Sequence, residues 1–114
     1  MGILLPNDKL WGAADWISQG FLSDAEQFLK HTSFLAEEIR FCIKADLDTI
    51  DLKNSDLATI RELSTLVDDV IARNRLMRGA NFHNPEMFPV YLERLELLNT
   101  MTKEALEWLE ERKP

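Results

Sequence analysis

Residues 84–111, NPEMFPVYLERLELLNTMTKEALEWLEE, decide the fold that this sequence predicts. Asn84 has the side chain of a helix N-cap, and Pro85 follows it at the first helical position, where a missing N–H is tolerated. Pro89 removes a backbone donor four residues further in, so we expect an irregular first turn before the regular helix. The helical pattern then continues to Glu111. The stretch therefore predicts one long helix.

This final helix is apolar on two faces. Residues at three- and four-residue spacing form a first stripe, expected to pack in the core: Phe88, Tyr91, Leu92, Leu95, Leu98, Ala105, Leu106 and Leu109. A second stripe, about 100° to 140° round the helix, consists of Val90, Leu97, Met101 and Trp108. The polar residues keep an arc of only about 100°, which is narrower than a surface helix ordinarily has. The helix is therefore expected to have neighbours on two sides.

Two interpretations of the second stripe remain open. In one, the final helix is central, and the N-terminal helix of the same chain covers the second stripe. In the other, the second stripe is a homodimer seam or a docking face for a protein partner, because a contiguous exposed apolar patch usually marks an interface. Under that interpretation its four residues are the partner-binding residues.

The preceding helix has clear signals at both ends. Asn54 or Ser55 is a suitable N-cap, and the helix is predicted to run to Arg78, followed by Gly79 at the position favoured beyond a helix C-terminus. Its apolar stripe consists of Leu57, Ile60, Leu63, Val67, Val70 and Ile71. The five residues between Gly79 and Pro85 form a short connection, which predicts that the last two helices are antiparallel neighbours.

The last turns of this third helix carry the concentrated positive charge of an otherwise acidic chain, at Arg73, Arg75 and Arg78. Cations near a helix C-terminus interact favourably with the helix dipole, and surface solvation explains the rest. A site for an anion or an acidic partner is the alternative interpretation of these arginines.

The first segment, residues 7–21, predicts a short amphipathic helix with Asn7 as its N-cap. Its apolar positions recur at helical spacing, at Leu10, Ala13, Ala14, Ile17 and Phe21. Trp11 and Trp16 flank this face. They either seal the edge of the core or present an exposed indole to a partner.

The second segment, residues 23–45, opens with Ser23 and Glu26 in the S-x-x-E form of a capping box, which predicts a helix start. We expect this helix to end near residue 45, because a helix continuing through Asp46 would point a carboxylate into the core. Residues 46–56 then form the main link between helices.

Phe34 and Phe41 lie about 180° round the second helix from its core stripe. They need a cover of their own. The N-terminal helix or a loop would supply it within the chain, and otherwise the two rings contact an oligomer or a ligand protein.

Together these elements predict an all-α fold, a compact antiparallel helical bundle of three long helices plus a short N-terminal helix. A chain of 114 residues with 46% hydrophobic content can bury one core, so we expect a single helical domain over residues 1–114.

The formal charge of −7 argues against direct binding of nucleic acid or an anionic membrane surface. A single cysteine, Cys42, excludes an internal disulfide and requires no oxidising compartment. The three apolar residues before Pro6 are too few for a signal-peptide core, and no apolar run approaches the length of a membrane span. We therefore expect a cytoplasmic protein with no membrane contact.

The sequence contains no phosphate-binding glycine loop, nucleophile elbow or paired-cysteine motif. Neither His31 nor His83 follows a glutamate at the spacing of a di-iron bundle, and residues 46–57 lack the glycine and glutamate of an EF-hand. Cys42 is interpreted as a small buried hydrophobe. We therefore predict no catalytic, cofactor-binding or metal-binding residues and expect a non-enzyme.

The expected function is that of a non-enzymatic protein-interaction or regulatory protein, as a homodimer or with a protein partner. The second stripe is the main candidate surface, and Phe34 and Phe41 are the lesser one. The alternative is an acidic inhibitor or immunity-type protein that neutralises a basic toxin or nucleic-acid-processing protein, with carboxylates where the target expects phosphates.

Overall fold

The computed structural model describes residues 1–29, 32–80 and 82–112. The elements of the described residues are, in chain order, β1 (Gly2–Leu4), β2 (Leu10–Gly12), α1 (Asp15–Glu26), α2 (Phe34–Ala45), β3 (Thr49–Asp51), α3 (Leu57–Met77) and α4 (Phe88–Glu111). A short 3-10 turn at Pro85–Met87 precedes α4.

Helices α3 and α4 form the most extensive helix pair of the fold. Three ion pairs join them, Arg61 to Glu110 at 3.7 Å, Asp68 to Lys103 at 3.3 Å and Arg75 to Glu96 at 2.8 Å. From pair to pair the residue number rises by seven along α3 and falls by seven along α4. The two helices are therefore antiparallel, with the same two-turn repeat along their contact.

The end of α3 and the approach to α4 follow the sequence signals closely. Arg78 and Gly79 both have positive φ, 52° and 77°, which ends α3. A Cβ on Gly79 would lie 3.0 Å from Phe88 Cγ, so glycine also permits the close approach of α4. Asn84 Oδ1 accepts the N–H of Glu86 at 3.1 Å and caps the 3-10 turn, which is the irregular turn expected ahead of Pro89.

The predicted all-α class is wrong, because three of the elements are strands. They form a mixed sheet in the order β2-β1-β3, with β1 antiparallel to β2 and parallel to β3. Ile3, Trp11 and Ile50 are paired across it in one row, and all three are buried. Each strand has only three residues, which is too short to show the alternation that indicates a strand. The fold is mostly helical with a small sheet.

The helix predicted over residues 7–21 is replaced by a hairpin turn, β2 and the beginning of α1. Asn7 Oδ1 accepts the N–H of Lys9 at 3.4 Å, and Asp8, with φ of 65°, donates its N–H to Leu5 O at 3.0 Å. Asparagine accepts a nearby backbone N–H in both turns and helix caps, so the residue type alone does not separate them.

The stretch predicted as one helix, residues 23–45, contains the end of α1 and the whole of α2. Ser23 and Glu26 lie in the last turns of α1, and α2 begins at Phe34 after Ser33, whose Oγ accepts the N–H of Ala36 at 3.0 Å. Residues 30 and 31, which the prediction also covered, lie outside the described residues. The S-x-x-E pattern does not mark a helix start here, because it lies inside α1. The buried face of that helix begins before the pattern, at Ile17, Phe21 and Leu22, and continues into it at Ala25.

The link after α2 contains β3 where the sequence predicted only a connection. Helix α2 ends where predicted, since Asp46 has a left-handed φ of 52°. Two side chains of the link, Ile50 and Leu52, are buried in the core. Asp56, one residue beyond the expected cap, begins α3 by accepting the N–H of Thr59 at 2.9 Å.

One cluster of buried side chains joins the sheet to the four helices. Its largest fully buried members are Trp11, Tyr91, Phe21, Ile3, Leu5, Leu35, Ile39, Leu52, Ile60, Leu63, Leu95 and Leu98. Among the described residues, no helix has both the length and the apolar character to cross a membrane.

Two adjacent leucines of α4 test which face of this helix packs in the core. Leu98 is fully buried and Leu97 is 39% exposed. Leu98→Ala is expected to lower the free energy of unfolding by about 2–5 kcal/mol, because it leaves a cavity in the core. Leu97→Ala, the matched control, should cost less than about 1 kcal/mol. Denaturant unfolding followed by circular dichroism measures both, and equal losses would contradict the assigned orientation of α4.

Candidate functional site

The N-terminal hairpin, β1 and β2 with their turn, docks on one flank of α4 through Trp11 and Arg94. The indole N–H of Trp11 donates to Arg94 O at 3.0 Å. In return, Nε of Arg94, at 2.8 Å, and its Nη2 donate to the carbonyl oxygen of Gly12. The hairpin and α4 thus each donate to a carbonyl oxygen of the other. This flank of α4 is held by a strand, where one of the two interpretations of the sequence placed the N-terminal helix.

The second stripe is only partly covered by this contact. Val90 and Leu97 lie one turn before and one turn after Arg94, and they are 48% and 39% exposed. Met101 is partly buried and packs against the core. Trp108 is partly buried, and the Arg112 guanidinium carbon lies 3.8 Å from the centre of its ring. An apolar patch therefore remains at the surface beside the hairpin.

A row of carboxylates borders the second stripe on the side away from Arg94. Helical spacing places Glu93, Glu104, Glu107 and Glu111 there, and all four are exposed. The ion pairs between described residues involve none of them, because the α4 carboxylates paired with α3 are Glu96 and Glu110. We call these four glutamates the acidic edge.

Phe34 and Phe41, the lesser candidates, are both more than half exposed on the outer face of α2. Helix α2 packs against α1, α3 and β3. The two rings therefore lie on a surface separate from the second stripe, and the structure does not bring the two sets together.

The three arginines at the end of α3 have different surroundings. Arg75 pairs with Glu96, and Arg78 is the left-handed residue at the helix end. Arg73 is exposed. The three guanidinium groups do not share a common contact among the described residues.

A cavity of about 420 Å³ lies between α1 and the end of α2. Its lining includes Cys42 and four acidic residues, Asp15, Glu26, Asp46 and Asp48. The Cys42 thiol donates to Leu47 O at 3.4 Å, and burial raises its pKa. A thiol in this environment is protonated and a poor nucleophile.

A second cavity, about 310 Å³ and open on one side, is lined by Trp16, Gly20, Ser23, Asp24, Phe82, His83 and Tyr91. We call it the aromatic cleft. The ring centres of Trp16 and Phe82 lie 6.4 Å and 5.4 Å from that of Tyr91. A Cβ on Gly20 would lie 3.2 Å from the Tyr91 ring, so glycine lets α1 approach α4 closely here.

Asp24 is fixed inside the aromatic cleft by two donors. Its Oδ2 accepts the Tyr91 hydroxyl at 2.7 Å and Nδ2 of Asn74 at 3.0 Å. Asn74 is buried and also donates to Val70 O at 2.8 Å. Burial raises the pKa of Tyr91, and the hydrogen bond to Asp24 raises it further. The phenol therefore stays protonated and keeps the carboxylate in place.

Sequence reasoning missed Asp24, Asn74 and this cleft. Asp24 was interpreted as part of a helix start, although with the helix begun at Asp15 it falls on the same face as Ile17 and Phe21. A carboxylate on an apolar face usually has a specific partner. That pattern was the available signal, and it depended on the correct helix boundary.

In the described part of the chain, no three His, Cys, Asp or Glu side chains are grouped so that they could hold a metal ion. Comparisons of the chain with protein-family models, with curated proteins and with solved structures found no match. The second stripe, the acidic edge and the aromatic cleft are therefore the candidate sites of this protein.

The single tyrosine of the chain makes the Asp24 contact directly measurable. Because the pKa of Tyr91 is raised, the folded protein should show no phenolate absorbance near pH 10, where an ordinary tyrosine titrates. The folded state binds this proton more tightly than the unfolded state, so stability should fall as the pH rises above about 10.

The same protein in denaturant is the control, since its phenol should titrate in the ordinary range. Phenolate absorbance that appears near the ordinary pKa while the helical circular dichroism is unchanged would contradict the buried Tyr91–Asp24 contact.

Proposed function

We propose that this protein is a non-enzymatic, cytoplasmic protein-interaction or regulatory protein, and that it binds a partner through the second stripe. The observation that carries the proposal is the exposure of Val90 and Leu97 on a helix that already packs in the core through a different face. Leaving large aliphatic side chains in water is unfavourable, and a partner that covered Val90 and Leu97 would remove that cost.

The acidic edge favours a partner segment that is apolar on one face and basic on the next. A lysine or arginine beside the second stripe would meet Glu93, Glu104, Glu107 or Glu111, which have no cationic partner among the described residues. On the opposite border, Arg94 is bonded to Gly12 O and Arg112 is stacked on Trp108. The charge offered to a partner is therefore negative.

The same charge disfavours a second copy of this chain as the partner. An antiparallel twofold pairing of α4 would place the acidic edges of both copies on the same side of the interface, where like charges repel. A parallel pairing would oppose each acidic edge to Arg94 and Arg112, which are already engaged. A basic amphipathic helix avoids both problems.

A synthetic amphipathic helical peptide, with leucine on one face and lysine on the other, is the probe for this proposal. The protein should bind it, and Leu97→Glu should weaken binding by about tenfold or more, because a carboxylate would then be buried against leucine. Leu76→Glu, at an 81% exposed position of α3, is the matched control and should bind as the wild type does. Isothermal titration calorimetry measures all three.

Two results would overturn the proposal. One is equal binding by the wild type and Leu97→Glu. The other is a wild-type protein whose mass in solution is that of a dimer and which Leu97→Glu converts to a monomer, since the second stripe would then be covered by another copy.

The second candidate function is an acidic inhibitor or immunity-type protein that neutralises a basic toxin or nucleic-acid-processing protein. The acidic edge, the carboxylates around the cavity between α1 and α2, and the net charge of −7 favour it. The two candidates predict opposite effects of Leu97→Glu on the same lysine-rich peptide. Recognition by charge alone would be strengthened by the added carboxylate and would fall steeply with salt.

A further inference from the structure

The aromatic cleft combines an immobilised carboxylate with three aromatic rings. Trp16 is exposed, Phe82 is partly buried, and Tyr91 is buried with its hydroxyl turned to Asp24. Ring faces carry negative electrostatic potential and attract cations within about 6 Å of the ring centre. The rings and the carboxylate therefore favour the same sign of charge.

The size of the cleft limits what it can hold. Its volume of about 310 Å³ lies at the lower end of the range for small-molecule sites, about 300–1,000 Å³. No lysine or arginine is among its lining residues. A compact cation therefore fits better than an extended ligand or an anion.

The hydrogen-bonding groups of the cleft favour a cation with few N–H donors. Oδ2 of Asp24 already accepts two hydrogen bonds, from Tyr91 and Asn74. The rings of Trp16, Phe82 and Tyr91 form the apolar part of the wall, and Ser23 and His83 are its other polar side chains. A primary ammonium or a guanidinium would lose hydrogen bonds to water that the rings cannot replace. A methylated ammonium has weaker hydration and needs only charge and apolar contact, which is why aromatic cages recognise it.

We propose that the aromatic cleft binds a methylated ammonium group, with the cation against Trp16, Phe82 and Tyr91 and its charge balanced by Asp24. The group could belong to a small molecule such as choline or to a trimethyllysine side chain, which present the same chemistry. None of the second-stripe residues lines the cleft, so this proposal and the proposed function succeed or fail separately.

The test uses tetramethylammonium chloride as the first probe and follows the tryptophan indole signals by ¹H–¹⁵N NMR, with sodium chloride as the control for ionic strength. The Trp16 signal should shift and saturate, and the Trp108 signal should not. Choline should bind more tightly than its uncharged carbon analogue 3,3-dimethylbutan-1-ol, because the two have the same shape and differ in charge.

Trp16→Leu should weaken binding by about fivefold or more, since it removes one ring face from an exposed site. Trp108→Leu, outside the cleft, is its matched control. Asp24→Asn keeps an acceptor for the Tyr91 hydroxyl and removes the charge, so it should also weaken binding, with its fold checked by circular dichroism. Tyr91→Phe keeps the ring and should still bind.

Comparing choline with a trimethyllysine peptide distinguishes the two sources, and tighter binding of either one identifies it. The proposal is overturned if the Trp16 signal does not respond to tetramethylammonium, if the uncharged analogue binds as well as choline, or if guanidinium chloride binds more tightly than tetramethylammonium.

Discussion

Hydrogen bonds from the Trp11 indole to Arg94 O and from the Arg94 guanidinium to Gly12 O hold the N-terminal hairpin on α4. An arginine on the flank of a packed helix loses hydration, and its guanidinium must find acceptors. The carbonyl of Gly12 supplies one, and the Trp11 indole returns a bond to the carbonyl of Arg94. Hydrogen bonds to a charged group are worth about 1.5–3 kcal/mol, more than neutral ones. This contact fixes where the hairpin lies on α4.

The position of the hairpin explains which arcs of the α4 surface are covered and which are exposed. One arc packs on the core, one carries the ion pairs to α3, and one holds the hairpin at Arg94. The second stripe borders the hairpin, which covers it only in part, and the acidic edge follows. Beyond the core stripe, the apolar residues of α4 therefore lie in two settings, beside the strand that contacts Arg94 and on the exposed surface at Val90 and Leu97.

The parts of the fold that follow from local chemistry could be predicted. Gly79 marks the end of α3 because it adopts a positive φ, and Asn84 with Pro85 marks the approach to α4. The long three-and-four spacing of α3 and α4 also needs no tertiary information. The three-residue strands could not be predicted, because they are defined by pairing between distant segments, as when Ile3 pairs with Ile50.

The candidate sites also divide into one that local sequence indicates and one that depends on contacts between distant segments. Helix geometry alone puts Val90 and Leu97 outside the arc of the core stripe, and both side chains are exposed in the structure. The aromatic cleft was not found, because its contacts join Asp24 to Asn74 and Tyr91, which are 50 and 67 residues away in the chain. The pattern at Ser23 also misplaced the helix on which Asp24 lies.

Hydrogen exchange of the three tryptophan indole N–H groups tests the docking of the hairpin on α4 most directly. Trp11 is buried and bonded to Arg94 O, so its indole N–H should exchange as slowly as the core amides. The indoles of Trp16 and Trp108 should exchange rapidly. If the Trp11 indole exchanges as fast as the other two in the folded protein, the hairpin is not held on α4, and the division of that helix into covered and open arcs is wrong.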